Sequence, residues 1–177
     1  MRAMKRFPAD CVYQRISSPL GELIVVVRPK ELHGILWESD LQNTTTAQTI
    51  STLEQAKNNG LVTEVKRQLT QYFQKTRRSF ALPITFDGTV FQKKVWHSLL
   101  DVPYGETSSY QQQAERVGGK EKVRAVGTAN GANPISIVVP CHRIIGKNGL
   151  LSGYAGGISA KEYLLNLEKS AENIPQC

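Results

Sequence analysis

The chain has 177 residues, with 22 Lys and Arg against 15 Asp and Glu, a net charge of +7, and 40% hydrophobic residues. That length holds a core without the disulfide or metal staples that chains below about 70–80 residues need, and the composition excludes disorder throughout. The longest strongly apolar run, residues 23–27, is far short of the roughly 20 residues of a membrane span, and the basic N-terminus lacks the apolar stretch of a secretory signal. These features predict a cytoplasmic protein with no membrane partner.

Residues 11–37 read as strands. Ser18-Pro19-Leu20-Gly21 signals a turn, residues 23–28 are β-branched and apolar, and residues 32–37 supply a paired strand. Residues 41–59 are polar and weakly periodic, a loop with a short helix. Leu61, Val62, Val65, Leu69, Tyr72 and Phe73 recur at helical spacing, which predicts a helix over 61–75, and 75–86 reads as extended. Nothing in this half points to chemistry.

The pattern changes near Gly88. Thr89 is placed to cap a helix with an apolar face of Phe91, Val95, Trp96, Leu99 and Leu100. Ser108 and Gln111 have capping-box spacing for a helix reaching Val117. Gly118-Gly119 makes a turn, and 121–130 is a further helix, so the two form a candidate helix-turn-helix. Asn133-Pro134 breaks the pattern, and 135–139 reads as a short buried strand. Residues 146–157 carry five glycines and form a loop. Ser159 and Glu162 mark a second capping box, for a last helix through Glu168. The fold class is therefore α+β: a small N-terminal α/β domain over residues 1–87, and a mostly helical C-terminal domain over 88–177 with a helix-turn-helix and an active-site loop.

The three cysteines are Cys11, Cys141 and Cys177. An odd count without regular spacing is no disulfide framework, and no spacing suits a metal site. Cys141 follows a buried segment and a proline, and sits beside His142 and Arg143, the electropositive setting that a reactive thiolate needs. The stretch 115–147 carries six basic residues against Glu115 and Glu121, a balance suited to a polyanionic partner.

Pro140-Cys141-His142-Arg143 resembles the active-site motif of the O6-alkylguanine-DNA alkyltransferases, also called methylated-DNA–protein-cysteine methyltransferases. The resemblance extends to Phe91-Gln92-x-x-Val95-Trp96, Gly105-Glu106-x-x-Ser109-Tyr110, Arg124-Ala125-Val126-Gly127, Asn133-Pro134, Gly153-Tyr154-Ala155-Gly156-Gly157 and Lys161-Glu162-x-Leu164-Leu165-x-x-Glu168. It is strong over 88–170 and weak before, where Ser18-Pro19-Leu20-Gly21 carries it.

The resemblance implies repair of double-stranded DNA containing O6-alkylguanine, by transfer of the alkyl group to Cys141. A thiolate suits attack at an sp³ carbon, and the thioether formed has no exit, so one protein repairs one lesion. His142 would take the thiol proton through a water, with Glu168 orienting the imidazole and Asn133 bracing the active-site turn. Tyr110 would serve O6 of the leaving base. Tyr154, Ala155 and Gly156 would line the pocket, and the carbonyls of Cys141 and Ile144 would read the exocyclic amine. Ala155 stands where many relatives have serine, which removes a hydroxyl but keeps the backbone donor.

The second helix of the helix-turn-helix would enter the minor groove through Ala125, Gly127 and Ala129, while Arg124 fills the space of the flipped base. Some relatives hold a structural zinc. His33 matches one ligand position, but Arg28 occupies another and Cys11 is offset, so no metal is expected, nor any cofactor. A monomer is expected. The competing readings are a non-enzymatic lesion binder, which would lack the cysteine; a transcription regulator, whose helix would carry base-reading Arg, Asn or Gln; and a cysteine hydrolase, which would turn over.

Overall fold

Five consecutive aliphatic residues, Leu23, Ile24, Val25, Val26 and Val27, are completely buried. A strand so apolar on both faces belongs in the middle of a covered sheet. The computed structural model, which describes residues 3–170, places it there. Strand β2 (Gly21–Arg28) lies between β1 (Val12–Ser18) and β3 (Glu31–Trp37), antiparallel to both, and the short β4 (Glu54–Gln55) adds parallel to β1. The Pro19-Leu20 turn closes the first hairpin, with Ser18 Oγ donating to the Gly21 carbonyl at 2.6 Å. Gly21 has φ +102°, a conformation that favours glycine.

Helix α1 (Thr44–Thr52) is capped by Asn43, and α2 (Gly60–Phe73) by Asn59, whose side chain accepts from the amides of Leu61 and Val62. Val62, Val65, Leu69 and Tyr72 of α2 are buried, as the helical spacing predicts. Residues 75–86 form no strand; one bridge, Leu32 to Ile84, and the Gln68 side-chain amide bonded to both backbone groups of Ala81 hold them. The chain divides into two compact units. The first takes residues up to Asp87 and also Pro134–Val138; the second takes Gly88–Asn133 and the chain from Val139 on.

The segment expected as a strand over 135–139 is buried but is not one. Ile135 makes a single bridge to Ile35, and Ile137 then turns with φ +71°. That left-handed backbone is rare for a β-branched residue and ends any ladder.

In the second unit α3 (Val90–Leu99) starts at Thr89, which forms a reciprocal capping box with Gln92. Val95, Trp96 and Leu99 are buried, while Leu100 stays 45% exposed, so it is outside the apolar face assigned to it. Strand β5 (Ser108–Ser109) precedes α4 (Tyr110–Val117). The capping box there is Ser109 with Gln112, one residue later than expected, because Ser108 is taken up in β5. Gly118 and Gly119, at φ +153° and +151°, turn the chain through a 3-10 turn (Lys120–Lys122) into α5 (Val123–Gly131). The last helix, α6 (Ile158–Ser170), begins one residue before Ser159, so Ser159 lies inside its first turn and does not cap it. No helix among the described residues is long and apolar enough to cross a membrane.

Candidate active site

The second unit gathers most of the chemistry-bearing residues in one place. After Pro140 the chain makes a 3-10 turn, Cys141–Arg143, closed by the Arg143 amide on the Pro140 carbonyl at 3.0 Å and by the Ile144 amide on the Cys141 carbonyl. Strand β6 (Ile144–Ile145) follows at once and pairs in parallel with β5. This pairing ties the cysteine turn to the start of α4, where Tyr110 sits.

Cys141 is buried, 8% exposed. The Asn133 side-chain amide donates to its Sγ at 3.2 Å and to the Val139 carbonyl at 2.9 Å, so one amide braces the entry to the turn on both sides of Pro140. His142 is fully buried, and its Nε2 lies 2.8 Å from Glu168 Oε1. A carboxylate only accepts, so the proton is on Nε2 and Nδ1 keeps its lone pair. Nδ1 has no hydrogen-bond partner among the described residues. Burial pulls the His142 pKa below its ordinary value, against the opposing pull of Glu168. The result is a neutral imidazole with a free basic nitrogen, next in sequence to a thiol.

Glu168 is fully buried near the end of α6. Burial alone would push its carboxyl up, but the hydrogen bonds of His142 and Arg143 and the charge of Arg143 override it and hold the pKa at about 2. Arg143 donates through Nε and Nη2 at about 3.0 Å, and the Gly105 amide adds a longer contact at 3.4 Å. Arg143 also donates to the Val102 carbonyl at 2.7 Å and stands over the Tyr104 ring. The residue types gave Arg143 no role beyond local charge; its role in the structure is to keep Glu168 ionised.

Lys161 stands in the motif that ends at Glu168, but its position on a helix gives it no role from sequence. It is fully buried on α6, with Nζ donating to the carbonyls of Ile144 at 2.6 Å and Ser152 at 3.1 Å. Burial pulls its pKa down. Its ammonium lies 5.8 Å from the Tyr110 ring centre, and the Tyr110 hydroxyl donates to the same Ser152 carbonyl at 3.2 Å. Lys161 thereby links β6, the glycine-rich loop and α4. Burial raises the Tyr110 pKa, which keeps the phenol a donor at neutral pH.

Tyr154 is buried with its ring edge toward His142 at 6.4 Å. Ala155 and Gly156 are half-buried in a turn closed by the Gly157 amide on the Tyr154 carbonyl. The carbonyls of Cys141 and Ile144, expected to read a base, each accept an intramolecular bond, from the Ile144 amide and from Lys161 Nζ.

On α5, Arg124 and Ala125 are exposed and Gly127 is half-buried, with open space where its Cβ would be. Ala129, expected to enter the groove, does not: it is 3% exposed and lies on the inner stripe with Val126 and Asn130. Thr128, one turn beyond Arg124, takes the outward position instead. In the first unit His33 Nδ1 lies 2.6 Å from Asp87 and Nε2 3.0 Å from Glu31, while Arg28 pairs with Asp10. No group of three or more His, Cys, Asp or Glu among the described residues suits a metal. Cys177 lies outside those residues.

Residues 90–170 match the pattern of the 6-O-methylguanine DNA methyltransferase DNA-binding domain, and 11–86 match the ribonuclease-like domain of the same proteins. The chain is 40% identical over 166 residues to the constitutive methylated-DNA–protein-cysteine methyltransferase of Bacillus subtilis, spanning 89% of this chain and 94% of that one. It is 44% identical to the Mycobacterium leprae protein of the same name, over 87% and 90% of the two chains. A crystal structure of Mycobacterium tuberculosis OGT in complex with DNA superposes with a TM-score of 0.81 at 39% identity, over 90% of this chain and 94% of that one.

Proposed function

The chain belongs to the 6-O-methylguanine DNA methyltransferase family, and from that membership we propose that it repairs O6-alkylguanine in double-stranded DNA, moving the alkyl group irreversibly to Cys141. The observation that carries this reading is the constellation of Cys141, Asn133, His142, Glu168 and Arg143 inside one unit. Base, orienting carboxylate and nucleophile follow the logic of an activated thiol.

The damaged base leaves the stack, because the reacting carbon is hard to reach inside it. His142 Nδ1 takes the Cys141 proton through a bridging water, and Glu168 stabilises the imidazolium that forms. Asn133 holds Sγ during the attack. The S–C bond forms as the C–O6 bond breaks, and the electron pair passes to the guanine ring. The Tyr110 hydroxyl donates to the departing base, and the imidazolium proton restores its neutrality. Tyr154, Ala155, Gly156 and the Ile144 carbonyl hold the base. Arg124 occupies its place in the duplex, with Ala125 and Gly127 close to the groove. Cys141 ends as a thioether, so the protein acts once, as a monomer in the cytoplasm (or nucleus, in a eukaryote).

Incubation with duplex DNA carrying a labelled O6-methyl group tests this. The label should reach Cys141 at one equivalent per protein and then stop. Continued turnover, or label left on the DNA, would refute it.

A further inference from the structure

Three helices of the second unit meet at a buried amide pair. Gln113 of α4 donates through Nε2 to Asn130 Oδ1 at 3.1 Å, and Asn130 of α5 donates back through Nδ2 to Gln113 Oε1 at 2.7 Å. The same Gln113 amide reaches Ser98 Oγ at 3.2 Å on α3, and Ser98 in turn donates to the Val95 carbonyl at 2.6 Å. Gln113 is fully buried, and Asn130 and Ser98 are 8% exposed. Beside the pair, Trp96 Nε1 of α3 donates to the Ala129 carbonyl of α5 at 2.8 Å.

These ties all hold the C-terminal half of α5. The rest of its inner stripe is Val126 and Ala129. Small apolar contacts of that kind have no directional preference, and they leave a nine-residue helix free to rotate or slide. A reciprocal amide pair forms in one register only, and a shift of one residue turns a helix face by about 100°. Buried polar networks are disposed to specify one arrangement rather than to add stability. The outward face whose direction is thereby set bears Arg124 and Ala125 at the opposite end of the helix, and the Arg124 side chain has no hydrogen bond or ion pair among the described residues.

We infer that Gln113 and Asn130 are positioning residues that fix the angle of α5, and so the aim of Arg124, for action on duplex DNA. This rests on the function proposed above. It concerns only the substrate that must be flipped. Asn133, which holds the Cys141 thiol, is bonded to Asn130 through the backbone carbonyl at 3.1 Å, and side-chain replacement at 130 leaves that bond in place.

The test compares transfer from O6-methylguanine in a duplex with transfer from the free base O6-methylguanine, in the paired variant Gln113→Leu/Asn130→Leu. Replacing both partners by apolar groups leaves no amide stranded. The melting temperature should stay close to that of the parent and free-base transfer should hold within about twofold, while duplex transfer falls about tenfold or more, the scale of a misplaced positioning group. Parental rates on both substrates would overturn the inference, since the pair would then be core filling. Equal losses on both would overturn it too, since the pair would then act on the thiol site or on folding. If the apolar pair does not fold, the exchanged pair Gln113→Asn/Asn130→Gln decides. It is compared with the single variant Asn130→Ala, which breaks the amide ring. The exchanged pair should keep duplex transfer within about threefold while Asn130→Ala loses about tenfold on the duplex but not on the free base, and equal duplex rates in the two variants would defeat the inference. Absence of transfer by the parent protein on either substrate would instead defeat the proposed function itself.

Discussion

Glu168 accepts from His142, from two nitrogens of Arg143 and from the Gly105 amide, all out of solvent. A buried carboxylate so enclosed serves two residues at once: it fixes the imidazole tautomer and neutralises a guanidinium that would otherwise be stranded. Glu168→Gln should therefore slow transfer and also destabilise the second unit by about 3 kcal/mol, the scale for breaking a buried pair at one partner. Parallel denaturation and transfer rates check it, and an unchanged midpoint would contradict the account. The same geometry fixes a pH dependence. The Glu168 pKa lies at about 2, below its ordinary 4.5, so its stabilisation is complete above about 4.5 and is lost as pH falls toward 2. His142 is also depressed, so the base stays neutral, and transfer should persist, below its ordinary 6.5. An acid limb of the rate profile centred above 6.5 would refute this. Cys141→Ala should abolish transfer but keep DNA binding, because Sγ bonds to the alkyl carbon and to no phosphate. Cys11→Ser should change nothing in transfer: that thiol is buried and pushed up to about 11, so it is protonated at neutral pH. Loss of transfer in Cys11→Ser at unchanged stability would overturn this.

At the scale of elements, local signals in the sequence were readable where local forces decide. Thr89 caps α3 through a bond to the amide three residues away. The Pro19-Leu20 turn and the apolar stripe of α2 are of the same kind. The misplaced box at Ser108 and the absent strand over 135–139 fail for a long-range reason: Ser108 pairs with Ile144, and Ile35 takes up the start of 134–138. The site divides in the same way. Cys141 and His142 stand in one readable motif, whereas Glu168 lies 26 positions from His142, and only the resemblance joined them. Arg143 and Lys161 stand in quoted motifs but carried no assigned partner, and Gln113 and Asn130 left no signal, because a buried polar partner is invisible until the fold supplies it. Helix α5 turns Ala129 inward. Its outward side is Arg124, Ala125 and Thr128, and a flipped base leaves a gap costing a few kcal/mol that an inserted side chain partly recovers. Arg124→Ala should slow duplex transfer severely and free-base transfer hardly at all. Equal effects on both substrates would place Arg124 at the thiol site, and a modest loss of affinity alone would leave it a phosphate contact.

On the scale of the whole molecule, a charge of +7 says less about DNA than the disposition of each basic side chain does. Six basic residues fall in the stretch 115–147. Arg143 is removed from the count, since it is 7% exposed and committed to Glu168. Lys120 is exposed but lies 3.5 Å from Glu115, a weak surface pair that a phosphate would replace easily. Arg116, Arg124 and Lys147 are exposed and Lys122 is half-buried, so at most five side chains are open to phosphate. Each phosphate neutralised contributes roughly −0.9 to the slope of log affinity against log salt, so the stretch 115–147 alone supplies at most about −4.5. Titration of duplex DNA across a salt series should give a value between about −2 and −4.5, and Arg143→Lys should leave that slope unchanged while impairing transfer. A flat dependence would mean that the basic residues face away from the DNA. A slope steeper than about −5 would require phosphate contacts beyond these five. Lys93, Lys94 and Lys169 of the second unit are exposed, and in the first unit Lys66, Arg67, Lys75, Arg77 and Arg78 stand in a stretch, 65–86, with no acidic residue. Charge reversal at Arg77 and Arg78 then separates these sources, because it would lower the slope only if the first unit contributes.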